Sequence, residues 1–142
     1  IQIVSSGPNS VREEIKRSMM RMITYAEKTV YLQTPYFIPD PSMLESLKMA
    51  AQSGVDVRIM IPCMPDHIFV YWATYAYCGE LIRSGARVYI YDSGFLHAKT
   101  MVVDGWQLSD QQTLTGAASA LTLNRMPLST MKGLQRKWTI SS

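Results

Sequence analysis

Residues 50–62, AAQSGVDVRIMIP, and residues 80–92, ELIRSGARVYIYD, share the pattern that decides the fold. Each stretch begins with the end of a helical pattern, passes a glycine that stops the helix, and continues into a β-strand. Strands that alternate with helices of about a dozen residues are typical of α/β proteins. The sequence therefore predicts an α/β sandwich with a largely parallel sheet.

The same alternation extends toward both ends of the chain. Asp40 followed by Pro41 is the cap-and-proline pattern that begins a helix, and it precedes a helical run to about Gln52. The connection Asp-Ser-Gly at residues 92–94 is short, so the strands on either side of it are interpreted as an antiparallel pair. Further strands are predicted at residues 1–4, 30–33 and 97–103. Further helices are predicted from a cap at Asn9 or Ser10 to an end at Lys28, and over residues 67–83.

Composition narrows the class of protein but not its partner. The 142 residues are 47% hydrophobic and 18% charged, which fits one globular domain, and the net charge of +3 is compatible with any anionic partner. Cys63 and Cys78 form no metal-binding pattern with the histidines, so we expect two free thiols and no metal. The chain begins with Ile1 inside a predicted strand, and we therefore expect a piece of a longer protein.

The segment that carries chemistry is residues 95–105, FLHAKTMVVDG. Side chains alternate along a strand, so His97 and Lys99 project from the same face with no acidic residue beside them. The lysine can stabilise charge on a phosphate oxygen, and the imidazole can attack phosphorus or protonate a leaving alcohol. Asp104 lies at an odd offset from His97, which favours orientation or structural pairing over bond-making.

Other candidate site residues can be explained by packing or helix capping at least as well as by a functional role. Tyr36 lies in a proline-rich loop after a strand, where α/β proteins place sites, and it is either a substrate-binding residue or a packing aromatic. His67 begins a helix, where a capping or packing role is favoured over a pocket role. The helix that follows carries aromatic residues that fit either an acyl-chain groove or, preferably, the core: Phe69, Tyr71, Trp72, Tyr75 and Tyr77.

The chain resembles the second half of bacterial cardiolipin synthases of the phospholipase D superfamily. HAKTMVVD matches the superfamily's H-x-K-x4-D motif, and the resemblance continues from Ile1 to Gly105 through IQIVSSGP, YLQTPYFIPD, SGVDVRIMIP, PDHIFVYWATY and VYIYDSGFLHAKTMVVDG. It implies a phospholipase D-like α-β-α sandwich with a mixed sheet, in which two repeats each give one motif to a shared pocket.

The resemblance also implies an activity and its residues. Two phosphatidylglycerols become cardiolipin and glycerol through a phosphohistidine intermediate, with no metal or other cofactor. His97 is then nucleophile or general acid, Lys99 holds phosphate, and Asp104 is the aspartate of the motif. The implied partners are an anionic phospholipid and either the missing first half or a second copy of the chain. We expect the whole protein at the cytoplasmic side of the cell membrane and this piece, alone, to be soluble and inactive.

Two alternatives remain open. One is a phosphodiesterase of the same superfamily that cleaves nucleic acid as a dimer, and the other is a non-catalytic remnant. The absence of basic clusters and the match in the YFIPD and PDHIFVYWATY segments favour lipid over nucleic acid.

The resemblance stops after Gly105. The family continues with a glycine-serine-x-asparagine turn, whereas this chain has Gln111, Gln112, Thr113 and Leu114, and residues 106–142 show no clear strand. Back-translation of the residues that follow Gly105, read in a shifted frame, gives ATVGSANIDRRSF, which restores that turn. We therefore expect a catalytic half-domain at residues 1–105 and a frameshifted or disordered tail at residues 106–142.

Overall fold

A computed structural model describes residues 2–4, 11–63, 68–92, 99–112 and 119–126. Within these ranges the mixed α/β class is confirmed, and no helix is long and apolar enough to cross a bilayer. The elements, in chain order, are β1 (Gln2–Val4), α1 (Val11–Thr24), β2 (Thr29–Gln33), α2 (Pro41–Gln52), β3 (Asp56–Pro62), α3 (Ile68–Arg83), β4 (Arg87–Tyr91), β5 (Thr100–Val103), β6 (Trp106–Gln112) and β7 (Ser119–Arg125).

The local signals for α2 and α3 are confirmed. Asp40 caps α2, its carboxylate accepting a hydrogen bond of 3.0 Å from the backbone N–H of Met43, and Pro41 is the first helical residue. Gly54 and Gly85 follow α2 and α3 with φ of 90° and 98°, as the helix stops require.

The sheet is mixed, in the order β1-β7-β6-β5-β2-β3-β4. Only the pairs β2–β3 and β3–β4 are parallel among the described strands, so the sheet is less parallel than the sequence predicted. The expected pairing of β4 with β5 is wrong, because β5 lies antiparallel to β2 on the other side of the sheet. Met101, Val102 and Val103 are all buried, so β5 needs a central position where both faces are covered.

The main core lies on one face of the sheet, under all three helices. Val30 and Leu32 of β2 point to this face and join Ile23, Leu47 and Leu81 of the helices in one cluster. The opposite face carries a smaller cluster of Tyr31, Met60 and Val102. The described helices therefore form one layer, and the second helical layer of the predicted α-β-α sandwich is not among the described residues.

The expectation of no clear strand after Gly105 is wrong. Asp104 (φ 47°) and Gly105 (φ 86°) form the left-handed two-residue turn of a β-hairpin, which leads from β5 into β6. Leu108 pairs with Met101 and is buried in the main core. Sequence reasoning missed β6 and β7 because polar residues outnumber apolar ones along both strands. The domain boundary at residue 105 and the frameshift hypothesis stay predictions.

Candidate active site

The candidate site lies where β2 and β3 end and β5 begins. Gln33, the last residue of β2, pairs with Thr100 of β5 on one side and with Met60 of β3 on the other. The carboxyl ends of the parallel strands β2, β3 and β4 meet at this end of the sheet, and ligands of open α/β sheets bind outside the carboxyl ends of strands. We call this end of the sheet, near Gln33, Met60 and Thr100, the carboxyl edge, and it can hold a site.

Lys99 stands at this carboxyl edge. It immediately precedes β5, and it is exposed. Within the described ranges of the chain no carboxylate forms an ion pair with it. An exposed ammonium without a paired acid is available to an anionic ligand such as a phosphate. His97, its predicted companion, lies outside the described residues, so their side-by-side arrangement stays a prediction; His67 lies outside them too.

Asp104 lies at the opposite end of β5 from Lys99. Its carboxylate accepts hydrogen bonds from the backbone N–H groups of Glu27 (2.7 Å), Lys28 (3.0 Å) and Thr29 (2.7 Å). At about 3.3 Å per residue, β5 separates the backbones of Asp104 and Lys99 by roughly 16 Å, so the two residues lie at opposite ends of the sheet. These hydrogen bonds tie the β5–β6 turn to the start of β2, as expected of a residue with a structural pairing role, and a catalytic role for Asp104 stays a prediction.

The charge state of Asp104 follows from these bonds. Partial burial raises the pKa of the Asp104 carboxyl, but the hydrogen bonds from the three backbone N–H groups and from the Thr29 hydroxyl together outweigh it, and the net pKa lies below its ordinary value of 3.8. Asp104 is thus a carboxylate at neutral pH, and its negative charge is directed into the backbone of the α1–β2 connection rather than toward the carboxyl edge.

Tyr36 lies in the loop that follows β2, at the same edge as Lys99. The residue is 39% exposed, and its backbone carbonyl accepts a hydrogen bond of 2.9 Å from the hydroxyl of Thr34. Phe37, the next residue, is buried and is the packing aromatic of this loop. A substrate-binding role for Tyr36 remains a prediction.

Three polar residues lie at this edge that sequence reasoning did not assign to it. Thr34, Cys63 and Asp92 are the first residues after β2, β3 and β4, and a signal for them exists in each case, because each directly follows a buried or half-buried strand. Cys63 is exposed, whereas Cys78 is buried, and burial raises the pKa of the Cys78 thiol to about 11. In the part of the chain that the structure describes, no three His, Cys, Asp or Glu residues come together as a metal site.

The aromatic residues of α3 divide between core and solvent. Tyr75 and Tyr77 pack against the main core, as expected. Phe69 and Trp72, however, are 88% and 67% exposed, so the expectation of core packing is wrong for these two. They face outward because the opposite side of α3, with Cys78 and Leu81, is the one that covers the sheet.

Comparison with known proteins identifies what this chain is similar to. The family model described as "Cardiolipin synthase, PLD-like domain" (PLD, phospholipase D) matches residues 19–123. A cardiolipin synthase of Listeria welshimeri is 63% identical over 105 residues, which are 74% of this chain and 22% of that protein. The major cardiolipin synthase of Bacillus subtilis is 59% identical over 104 residues, 73% of this chain and 22% of that protein. The chain thus spans about a fifth of the length of these relatives.

Among solved structures, the fold is similar to Nuc of Salmonella typhimurium, a phospholipase D family member. The TM-score is 0.70 at 20% identity, and the match covers 99% of this chain and 95% of Nuc. At this identity the likeness concerns the fold alone, and it supports the phospholipase D-like architecture predicted from the sequence.

Proposed function

Since this chain belongs to the cardiolipin synthase family of phospholipase D-like domains, we propose that it supplies one half of a phosphatidyltransferase active site. The proposed reaction joins two phosphatidylglycerol molecules into cardiolipin and releases glycerol. The whole protein acts at the cytoplasmic side of a membrane, with an anionic phospholipid as substrate. The observation that carries this proposal is Lys99, an exposed cation at the carboxyl edge with no ion-pair partner among the described residues.

The proposed chemistry uses His97 and Lys99 in two steps. The imidazole of His97 attacks phosphorus, a phosphorus–nitrogen bond forms, and the bond from phosphorus to the glycerol headgroup breaks. The departing glycerol oxygen takes a proton from the second motif's histidine. The primary hydroxyl of another phosphatidylglycerol then attacks the phosphohistidine, loses its proton to that same base, and releases His97. Lys99 stabilises the charge on a non-bridging oxygen in both transition states.

A second motif is necessary for this chemistry. One chain contains one H-x-K-x4-D sequence, so the acid and base of the scheme come from the missing first half or from a second copy of the chain. The coverage of about a fifth of each relative supports the first source. We therefore propose that the chain alone has little or no activity.

The test is lipid turnover by the chain, alone and mixed with a first-half polypeptide of a related cardiolipin synthase. We expect labelled phosphatidylglycerol to yield cardiolipin only in the mixture. His97→Ala and Lys99→Ala should each reduce that turnover by on the order of a hundredfold or more, because each removes a charge-stabilising or bond-making group.

Lys28→Ala is the matched control, since Lys28 is also an exposed lysine but lies before β2, at the other edge of the sheet. Its turnover should equal that of the unchanged chain. Cleavage of single-stranded DNA without lipid turnover would replace the proposal with the nucleic-acid alternative. Robust turnover by the chain alone, lost in His97→Ala, would contradict the need for the first half and indicate a dimer of identical chains.

A further inference from the structure

The outward face of α3 is apolar where a soluble helix is usually polar. Phe69, Trp72 and Ala76 are all exposed and lie three and four residues apart, so they form one stripe, which we call the α3 aromatic face. A different side of the helix packs against the rest of the protein, since Thr74, Cys78 and Leu81 are buried. The aromatic face is therefore not a part of the core that happens to be loosely packed.

Charge is segregated along the length of α3. No charged residue occurs between Ile68 and Gly79, whereas Glu80 and Arg83 lie in the last turns of the helix. Lys48 of α2 lies 3.9 Å from Glu80, which adds to the charge at that end. The apolar end and the charged end of the helix consequently point to opposite edges of the sheet.

The apolar end is the one that lies at the candidate active site. Helix α3 begins after the end of β3, at the carboxyl edge, and it returns along the sheet to the start of β4. Ile38, from the loop that follows β2, is exposed at the same edge. Exposed apolar side chains and the cation Lys99 therefore occur together at one edge.

We propose that the α3 aromatic face is the surface by which this protein rests on an anionic phospholipid bilayer, with the carboxyl edge toward the headgroups. Trp and Phe are the side chains that favour the boundary between headgroups and acyl chains. The polarity gradient of α3 matches that boundary, because its charged end stays in water. Lys99 adds attraction to anionic headgroups. This inference rests on the proposed function, because it assumes that the substrate is a phospholipid that reaches the site from a bilayer.

The proposed insertion into the bilayer is shallow, and it adds to the other membrane contacts of the whole protein. Two aromatic side chains cannot anchor a protein irreversibly, since each buries only part of its surface in the interfacial layer. We therefore expect reversible binding that is stronger on vesicles of phosphatidylglycerol and phosphatidylcholine than on phosphatidylcholine alone.

The experiment is co-sedimentation of the full chain with vesicles of equal parts phosphatidylglycerol and phosphatidylcholine. The double variant Phe69→Ser with Trp72→Ser should weaken binding on the order of tenfold or more, because both side chains leave the interfacial layer. The matched control is Tyr25→Ser: Tyr25 is 80% exposed but follows α1 at the opposite edge. Its binding should stay within about twofold of the unchanged chain.

The vesicle experiment can overturn the proposal in two ways. The first is an equal loss of vesicle binding in the double variant and in Tyr25→Ser, or no loss in either. The second is a concentration-dependent dimer that the double variant abolishes, because the face would then bind protein. If the double variant fails to fold, Trp72→Ser alone carries the same expectation in reduced size. Vesicle binding through this face, with no lipid turnover even in the mixture with the first-half polypeptide, would refute the proposed function only. Turnover in that mixture with no role for Phe69 and Trp72 in vesicle binding would refute this inference only.

Discussion

At the scale of single residues, Asp104 shows how one carboxylate organises two parts of the chain. It occupies the first position of the β5–β6 turn, and its three hydrogen bonds hold the backbone at Glu27, Lys28 and Thr29, immediately before and at the start of β2. The spacing between Lys99 and Asp104 in this chain therefore corresponds to the length of β5, which begins directly after Lys99 and ends directly before Asp104.

Removing this carboxylate should destabilise the fold. We expect Asp104→Ala to lower the free energy of unfolding by about 2 kcal/mol, since three backbone donors lose a charged acceptor and alanine is strained at positive φ. Asp104→Asn should lose about half as much, because asparagine tolerates this conformation and keeps one acceptor oxygen. Urea denaturation measures both. Glu45→Gln, in an exposed ion pair with Lys48, is the control and should change stability by less than about 0.5 kcal/mol.

The same residue predicts a pH dependence. Because the pKa of Asp104 is lowered in the folded state, its contribution is complete above the ordinary value of 3.8 and is lost as pH falls through the lower folded value. The stability difference between the unchanged chain and Asp104→Asn should therefore shrink as the pH is taken from neutral to strongly acidic. A difference that stays constant or grows toward acid would contradict the assigned hydrogen bonds.

At the scale of elements, the β5–β6–β7 region carries the largest difference between expectation and structure. The sequence indicated no clear strand after residue 105, whereas β6 and β7 continue the sheet and Leu108 is 6% exposed in the main core. The family match, which extends to residue 123, includes β6 and most of β7.

Leu108→Ala tests whether residues beyond Gly105 belong to the folded unit. If they do, the substitution should cost about 2–4 kcal/mol, because it leaves a cavity opposite Met101. Ile82→Ala, at an exposed position of α3, is the control and should have little effect. A cost of less than about 0.5 kcal/mol for Leu108→Ala would instead support the boundary at residue 105 and an aberrant tail.

Elements with local signals were predictable, and their arrangement was not. The cap at Asp40 and the stops at Gly54 and Gly85 depend on neighbours in sequence, so the sequence sufficed for them. The position of β5 beside β2 depends on side chains that cover both faces of the strand at Met101, Val102 and Val103. Those side chains come from distant parts of the chain, so no local pattern predicts this position. Phe69 and Trp72 were misplaced because α3 is apolar on all sides, a pattern that normally indicates a buried helix.

At the scale of the whole molecule, the described residues place two kinds of recognition at one edge of the sheet. Lys99, which we propose binds phosphate, and the α3 aromatic face, which we propose contacts the bilayer, are both exposed at this edge. Asp104 and the β5–β6 turn lie at the other edge and stabilise the sheet. Division of a sheet into a reactive edge and a structural edge is typical of α/β proteins, where ligands bind at the carboxyl ends of strands.

The most direct measurement is mass spectrometry of the chain after rapid acid-free quenching of its reaction with phosphatidylglycerol in the presence of the first half. We predict a phosphatidyl group on His97, absent in His97→Ala and strongly reduced in Lys99→Ala. Cardiolipin formation that proceeds with no adduct on this chain, or that is unaffected by His97→Ala, would contradict the assignment of His97 as the nucleophile.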